Sequence, residues 1–221
     1  MAVTFGEESV SLTGRVFRHI ERCILEGEYP SGSALTEHRI SQEVGVSRTP
    51  VREALFQLEQ EGLVRLIPNK GAVVVGISEK DIDDIYTIRV MIEGLASRWA
   101  AERITPEELD KLTEIIDLQR FYVERGDTVQ GWNLDSTFHS LLYDACRSNP
   151  LSNTLKTFHN YVRKARESSF KAFDRARIAT DEHEQILNAI RAHDGELAEK
   201  LTAEHIVNAK ANLIRSLREQ K

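Results

Sequence analysis

Four side chains in the second half of this 221-residue sequence have the types and spacing to hold a metal ion. Asp135 and His139 stand four apart in Asn133-Leu134-Asp135-Ser136-Thr137-Phe138-His139, so on a helix both project from one face. Leu142 continues that stripe, which turns the face inward. His183 shares a stripe with Leu187 and Ile190, and His205 shares one with Leu201 and Asn208. Three histidines and an aspartate therefore lie on inward faces of three predicted helices. Each alone reads as an ordinary core residue. Together they are harder to explain, because burying polar groups without a shared partner is costly. A divalent cation would satisfy all four. One carboxylate and three imidazoles suit Zn²⁺, Ni²⁺, Mn²⁺ or Fe²⁺, and the ligand types do not choose among these. His19, His159 and His193 read as surface or packing residues.

A buried cation site invites an anion, and Arg89 is the candidate to bind one. It falls on the stripe Ile82, Ile85, Arg89, Ile92, Ala96, where an apolar residue is expected. A buried arginine needs an anionic partner. That partner is either a small organic acid spanning Arg89 and the metal or an internal acid such as Glu93. Arg163 and Arg166 are weaker candidates for the same role.

A second chemistry lies nearer the N-terminus, in Gly45-Val46-Ser47-Arg48-Thr49-Pro50-Val51-Arg52-Glu53-Ala54-Leu55. Arg48, Thr49 and Arg52 occupy the first turns of a predicted helix. A helix that reads the major groove does so with its N-terminal residues. Arginine there can bind guanine O6 and N7 together, worth about 1–3 kcal/mol of discrimination. Ser47 and Thr49 can donate to phosphate, assisted by the positive end of the helix. From 38 to 52 the bases are Arg39, Arg48 and Arg52, against Glu43 alone. A hairpin follows, and Lys70-Gly71 at its tip is placed to reach a neighbouring groove or phosphate.

The elements that must position these groups fall into two blocks, 1–77 and 78–221. The first predicts a helix from Gly14 to Gly27, a turn at 29–33, a short helix capped by Thr36 and ended by Gly45, and a third helix stopping near Gly62. Leu63–Ile67 and Ala72–Ile77 read as strands around the turn Pro68-Asn69-Lys70-Gly71. That is the order of a winged helix-turn-helix. The second block predicts helices over 79–103, 106–125, 128–147, 151–173, 180–193 and 195–219, an all-α antiparallel bundle. Thr105-Pro106-Glu107-Glu108 combines a capping box with proline at the first helical position.

Composition sets outer bounds. Apolar residues at 41% and charged residues at 29% are those of a globular chain. A net charge of −6 argues against indiscriminate coating of nucleic acid, though not against a local basic face. No apolar run is long enough for a membrane span, and the first residues lack the pattern of a secretion signal. Two separated cysteines, Cys23 and Cys146, make no disulfide framework, so a reducing cytoplasm is expected.

The N-terminal motifs closely resemble the DNA-binding domain of GntR-family transcriptional regulators: Leu35-Thr36-Glu37, then Gly45 to Leu55, then Leu58-Glu59-Gln60-Glu61-Gly62-Leu63-Val64. The resemblance implies DNA contacts by Arg48, Thr49 and Arg52, and wing contacts around Gly71. At His38 some members carry a DNA-touching arginine, so that contact is expected to weaken or to read another base. Asp135-x-x-Phe138-His139, a histidine before an Ile-Leu-x-Ala-Ile run, and His205-Ile206 resemble the FCD ligand domain of the FadR branch. In that group these positions bind a metal inside a helical bundle, and members typically sense small organic acids. The expected function is a dimeric, cytoplasmic, DNA-binding regulator, a repressor, released or engaged by a carboxylate effector. Dimerisation follows because one recognition helix reads few base pairs. A metal-dependent hydrolase and a regulator whose metal is purely structural are the rival readings. Against the hydrolase, Glu182, Glu184 and Glu204 flank histidines but are expected to point elsewhere.

Overall fold

The computed structural model describes residues 11–68, 70–163, 165–166 and 173–219. The chain divides into two compact units, Met1–Ser78 and Glu79–Lys221.

The N-terminal unit comprises α1 (Leu12–Leu25), β1 (Ala34–Leu35), α2 (Glu37–Val44), α3 (Arg48–Gln60), β2 (Val64–Ile67) and β3 (Gly71–Val74). Thr36 caps α2 by accepting from the Arg39 backbone N–H at 3.2 Å. Gly45 ends it in the left-handed region at φ 73°. Val16, Ile20, Leu35, Ile40, Val51, Ala54, Leu55, Leu58 and Leu63 form the buried interior of this unit. Each large apolar side chain removed from water there contributes about 1.5–3 kcal/mol.

The hairpin of β2 and β3 carries a third strand. β1 pairs antiparallel with β3, giving sheet order β1-β3-β2. The sequence reading missed β1, since two residues between turn cues are too short to show alternation. Gly71 of β3 passes close to the backbone of β1. It sits at φ 95°, and a Cβ there would lie 2.2 Å from the Leu35 carbonyl oxygen. Glycine at this position is therefore needed by the sheet itself. Asn69, in the predicted turn, lies outside the described residues.

The C-terminal unit comprises α4 (Glu79–Arg103), α5 (Pro106–Glu124), α6 (Thr128–Ala145), α7 (Asn149–Tyr161), α8 (Phe173–Arg191) and α9 (Gly195–Glu219). The capping box at Thr105 and Glu108 forms as its spacing predicts. α9 runs antiparallel along α4, because Ser97 meets Thr202 while Thr87 and Asp83 meet Lys210. The two helices pack closely enough that a Cβ on Gly94 would lie 2.8 Å from the Glu199 carbonyl oxygen. Leu112 and Ile116 of α5, Phe138 and Leu142 of α6, and Ile186, Leu187 and Ile190 of α8 form the main core.

Two helix boundaries differ from the sequence expectation. α7 ends at Tyr161 and not near 173; no glycine or proline marks that end, so composition gave no cue. Beyond the turn at Val162 the expected span is again helical at Arg163, Ala165 and Arg166, and 164 and 167–172 lie outside the described residues. α8 starts by Phe173, ahead of the expected start at 180. Thr180, at the expected start, lies inside the helix and its hydroxyl donates back to the Ala176 carbonyl at 2.9 Å.

Replacing Gly71 with alanine should cost about 2 kcal/mol or more, from the positive φ and the close approach together. Calorimetry should show the lowest-melting transition moving down by several degrees. An unchanged melting profile would contradict the close approach.

Candidate metal centre and nucleic-acid interface

The three helices bring the three predicted histidines together, while Asp135, the fourth predicted ligand, stands at the edge of the group beside His183 and paired with Arg166. α6 supplies Asp135 and His139, α8 supplies His183, and α9 supplies His205. All four side chains are buried. One ring nitrogen from each histidine lies within 4.8 Å of the others. Ring centroids stand 5.1 Å apart for His139 and His183, 5.3 Å for His139 and His205, and 4.7 Å for His183 and His205. Asp135 Oδ1 lies 3.7 Å from His183 Nε2.

Groups behind each ring fix its orientation. His183 Nδ1 bonds Gln119 Oε1 at 3.1 Å, and Phe138 stacks on the ring with centroids 4.1 Å apart. An amide oxygen only accepts, so Nδ1 carries the proton and Nε2 keeps its lone pair. His205 Nδ1 meets Glu182 Oε2 at 2.7 Å. His139 Nδ1 lies 2.9 Å from Glu93 Oε1, off the line of an ideal hydrogen bond. In each ring Nδ1 faces an oxygen, the arrangement that orients metal-binding histidines elsewhere. The Nε2 atoms of His139 and His183 are buried and have no hydrogen-bond partner among the described residues.

Burial sets the protonation states. It pushes the His139 imidazole down to about 4, although Glu93 opposes it. Burial, reinforced by neighbouring cations, pushes His183 and His159 well below the usual histidine range. Neutral imidazole is the form that ligates a metal. The donor set, the unpartnered Nε2 atoms and the neutral rings all fit a divalent ion.

Several residues around this cluster were not singled out from sequence. Gln119 and Tyr143 carried no signal. His159, assigned to surface or packing, is buried with its ring 5.4 Å from that of His139. Glu182 was expected to point away, but it bridges His205, Asn208 and Arg175. Burial would raise its carboxyl, but those three partners prevail and hold it at about 2. That makes Glu182 a poor proton acceptor at neutral pH and a firm support for His205. Glu184 does point away and pairs with Arg120.

Arg89 is buried at 1% exposure and pairs with Glu93, Nε to Oε2 at 2.9 Å. Burial would raise the Glu93 carboxyl, but Arg89 and His139 hold it well below the usual range. Tyr143 donates to the same carboxylate at 2.7 Å. The internal partner weighed for Arg89 is therefore present. Its Nη1, however, is buried without a hydrogen-bond partner among the described residues. Arg89 also lines a cavity of about 30 Å³ together with Asp135, Arg166, Arg175, His205 and Trp132. Arg166 pairs with Asp135 Oδ2 and touches His159. Arg163 is exposed.

On the N-terminal unit, Ser47 is the N-cap of α3 and its side chain makes no cap hydrogen bond. Arg48, Thr49 and Arg52 are exposed on the first turns of α3, and Lys70 is exposed at the hairpin tip beside Gly71. Arg48 Nη2 lies 3.5 Å from His38 Nδ1. Arg52 grips Glu37 with two hydrogen bonds of 2.7 and 2.8 Å, which lower the Glu37 carboxyl. Glu37 sits just outside the stretch judged basic from sequence, so that face is less positive than the count from 38 to 52 implied.

Comparison with known proteins agrees with both halves. The model for bacterial regulatory proteins of the gntR family matches residues 12–74, and the FCD domain model matches residues 84–208. The HTH-type transcriptional repressor RspR of Escherichia coli is 29% identical over 87% of this chain and 84% of its own length. The gluconate operon transcriptional repressor of Bacillus licheniformis is 28% identical over 83% of this chain and 77% of its own. The solved structure of E. coli McbR/YncC aligns with a TM-score of 0.76 at 25% identity, covering 93% of this chain and 98% of that one. The chain belongs to the GntR family of transcriptional regulators, with an FCD ligand-binding domain following its winged helix-turn-helix.

Proposed function

We propose that this regulator is a repressor whose hold on operator DNA is set by a small organic acid bound beside a metal in the helical unit. The observation that carries the reading is the unpartnered Nη1 of the buried Arg89, a residue that lines the same cavity as Asp135 and His205. Asp135, His139, His183 and His205 would hold the ion, of which Zn²⁺, Ni²⁺, Mn²⁺ and Fe²⁺ all suit the donors. The ion supplies a Lewis-acidic anchor for a carboxylate.

Charge balance gives the reason for an acid. Three buried arginines are matched one to one by carboxylates, two buried and one half-buried: Arg89 by Glu93, Arg166 by Asp135, and Arg175 by the half-buried Glu182. Adding a divalent cation on neutral imidazoles leaves this interior two positive charges in excess. Asp135 would then be shared, and Arg166 would need another anion. A carboxylate reaching Arg89, Arg166 and the ion would supply that anion and remove one of the two excess charges. The gluconate operon repressor among the relatives is named for an operon of such an acid.

Arg48, Thr49, Arg52 and Ser47 would read or position the major groove. His38 would assist Arg48, and Lys70 and Gly71 would bring the wing to the backbone or minor groove. Two copies would read a palindrome, and the acid would act by binding unequally to the DNA-fitting and DNA-misfitting arrangements.

Fluorescence anisotropy on DNA flanking the gene, with and without a panel of small carboxylates, tests the reading. Arg48→Ala should weaken specific binding by about 5- to 150-fold. Lys70→Ala should lower the slope of log affinity against log salt by about one. Equal affinity for operator and random DNA would overturn sequence-specific recognition. For the acid, Arg89→Met combined with Glu93→Gln avoids leaving one buried charge alone. Calorimetry should show carboxylate affinity falling about 10-fold or more. Unchanged affinity would remove Arg89 from the binding site.

A further inference from the structure

The N-terminal unit holds a second set of metal-ligating side chains, remote in sequence from the bundle. His19 and Cys23 stand four apart on α1 and share a face. Glu28 lies in the turn that follows, and Glu43 lies near the end of α2. His19 Nε2 is 3.2 Å from Glu43 Oε1 and 3.8 Å from Cys23 Sγ. Cys23 Sγ is 3.1 Å from Glu28 Oε2. One donor atom from each of His19, Cys23 and Glu43 lies within 4.8 Å of the others. The thiol end is sealed, since Cys23 is fully buried. The other end is open, with the side chains of His19 and Glu43 24% and 37% exposed.

We propose that this cluster is a divalent transition-metal site, suited to Zn²⁺, held by Cys23 Sγ, His19 Nε2 and the Glu43 carboxylate, with the exposed Glu28 beside the thiol swinging in as the fourth donor. A thiolate, an imidazole and two carboxylates make four donors of the kinds zinc takes, and their softness disfavours Mg²⁺ and Ca²⁺. On binding, the Cys23 S–H bond breaks, its proton leaves to solvent, and sulfur bonds the ion. The three anionic ligands then exceed the ion's charge by one. Arg22 offsets that excess, with Nη1 3.0 Å from Glu28 Oε1 and Nη2 3.6 Å from Cys23 Sγ. Tyr29 donates to Glu43 Oε1 at 2.6 Å and orients that carboxylate. The competing state is the hydrogen-bonded network itself, in which a thiol proton and a histidine proton do what one cation would do.

The position gives the site a consequence. It would tie α1 and the turn after it to α2, whose left-handed end at Gly45 leads directly into α3. The DNA-reading helix would thus be braced by an ion of its own, independent of the bundle.

Cobalt(II) separates the two sites, because sulfur ligation to cobalt gives a charge-transfer band in the near ultraviolet and the bundle donors contain no sulfur. Cys146, the other cysteine, directs its Sγ to the Ser148 carbonyl. The probe is Co²⁺ added to the reduced, metal-free full-length chain. The expected result is a sulfur band that saturates at one equivalent and is bleached by Zn²⁺. Cys23→Ser should abolish the band, and His19→Gln should weaken its saturation by at least about 10-fold. Absence of the band in the wild-type chain at millimolar Co²⁺, or its persistence in Cys23→Ser, overturns the site. The wild-type spectrum decides even if a variant fails to fold.

Discussion

The helical unit is organised around three imidazoles whose Nδ1 atoms each face an oxygen on the outer side. Gln119, Glu182 and Glu93 face the Nδ1 atoms of His183, His205 and His139. That leaves the Nε2 atoms on the inner side, where those of His139 and His183 have no hydrogen-bond partner among the described residues. Burial keeps these two rings neutral. A protein that wanted only a packed core would have filled this space with leucine, since unpaired buried nitrogens cost about 1–3 kcal/mol each. The surrounding helices make sense as the frame for that inward convergence. α4 supplies Glu93, α5 supplies Gln119, and Phe138 of α6 fixes the ring of His183 by stacking.

The same interior carries three arginines with three carboxylates, an even balance that any added cation upsets. Arg166 is the pivotal member, because its partner Asp135 is also the carboxylate nearest His183. A site of this kind couples the occupancy of one charge to the demand for another. Binding of cation and of anion should therefore be mutually reinforcing, as linkage requires.

Much of this was legible in the sequence because side chains repeat with helical period. Asp135 and His139 showed their shared face through Leu142, and His183 through Leu187 and Ile190. Thr36, Gly45 and the Thr105 capping box marked ends by local chemistry. What stayed hidden was set by contacts between distant segments. Glu182 lies next to His183 in sequence but serves His205, and Gln119 looked like any polar helix residue until His183 met it. His159 shares a buried face with Leu155 and Val162, which marks a packing residue but not its place beside His139, and Glu37 lay just beyond the basic stretch it partly neutralises. Gly71 was read as a wing tip touching DNA, whereas the approach of Leu35 gives it a structural reason that depends on β1. The FCD and winged-helix motifs identified the family from residues alone, and the family models match both halves of the chain.

The central claim, that imidazoles from separate helices grip one divalent ion, is tested most directly by calorimetric titration of Zn²⁺ into metal-free protein carrying Cys23→Ser. One ion per chain should bind, and His183→Gln in the same background should weaken it by about 100-fold or more. Absence of binding, or affinity indifferent to the loss of His183, would contradict the account.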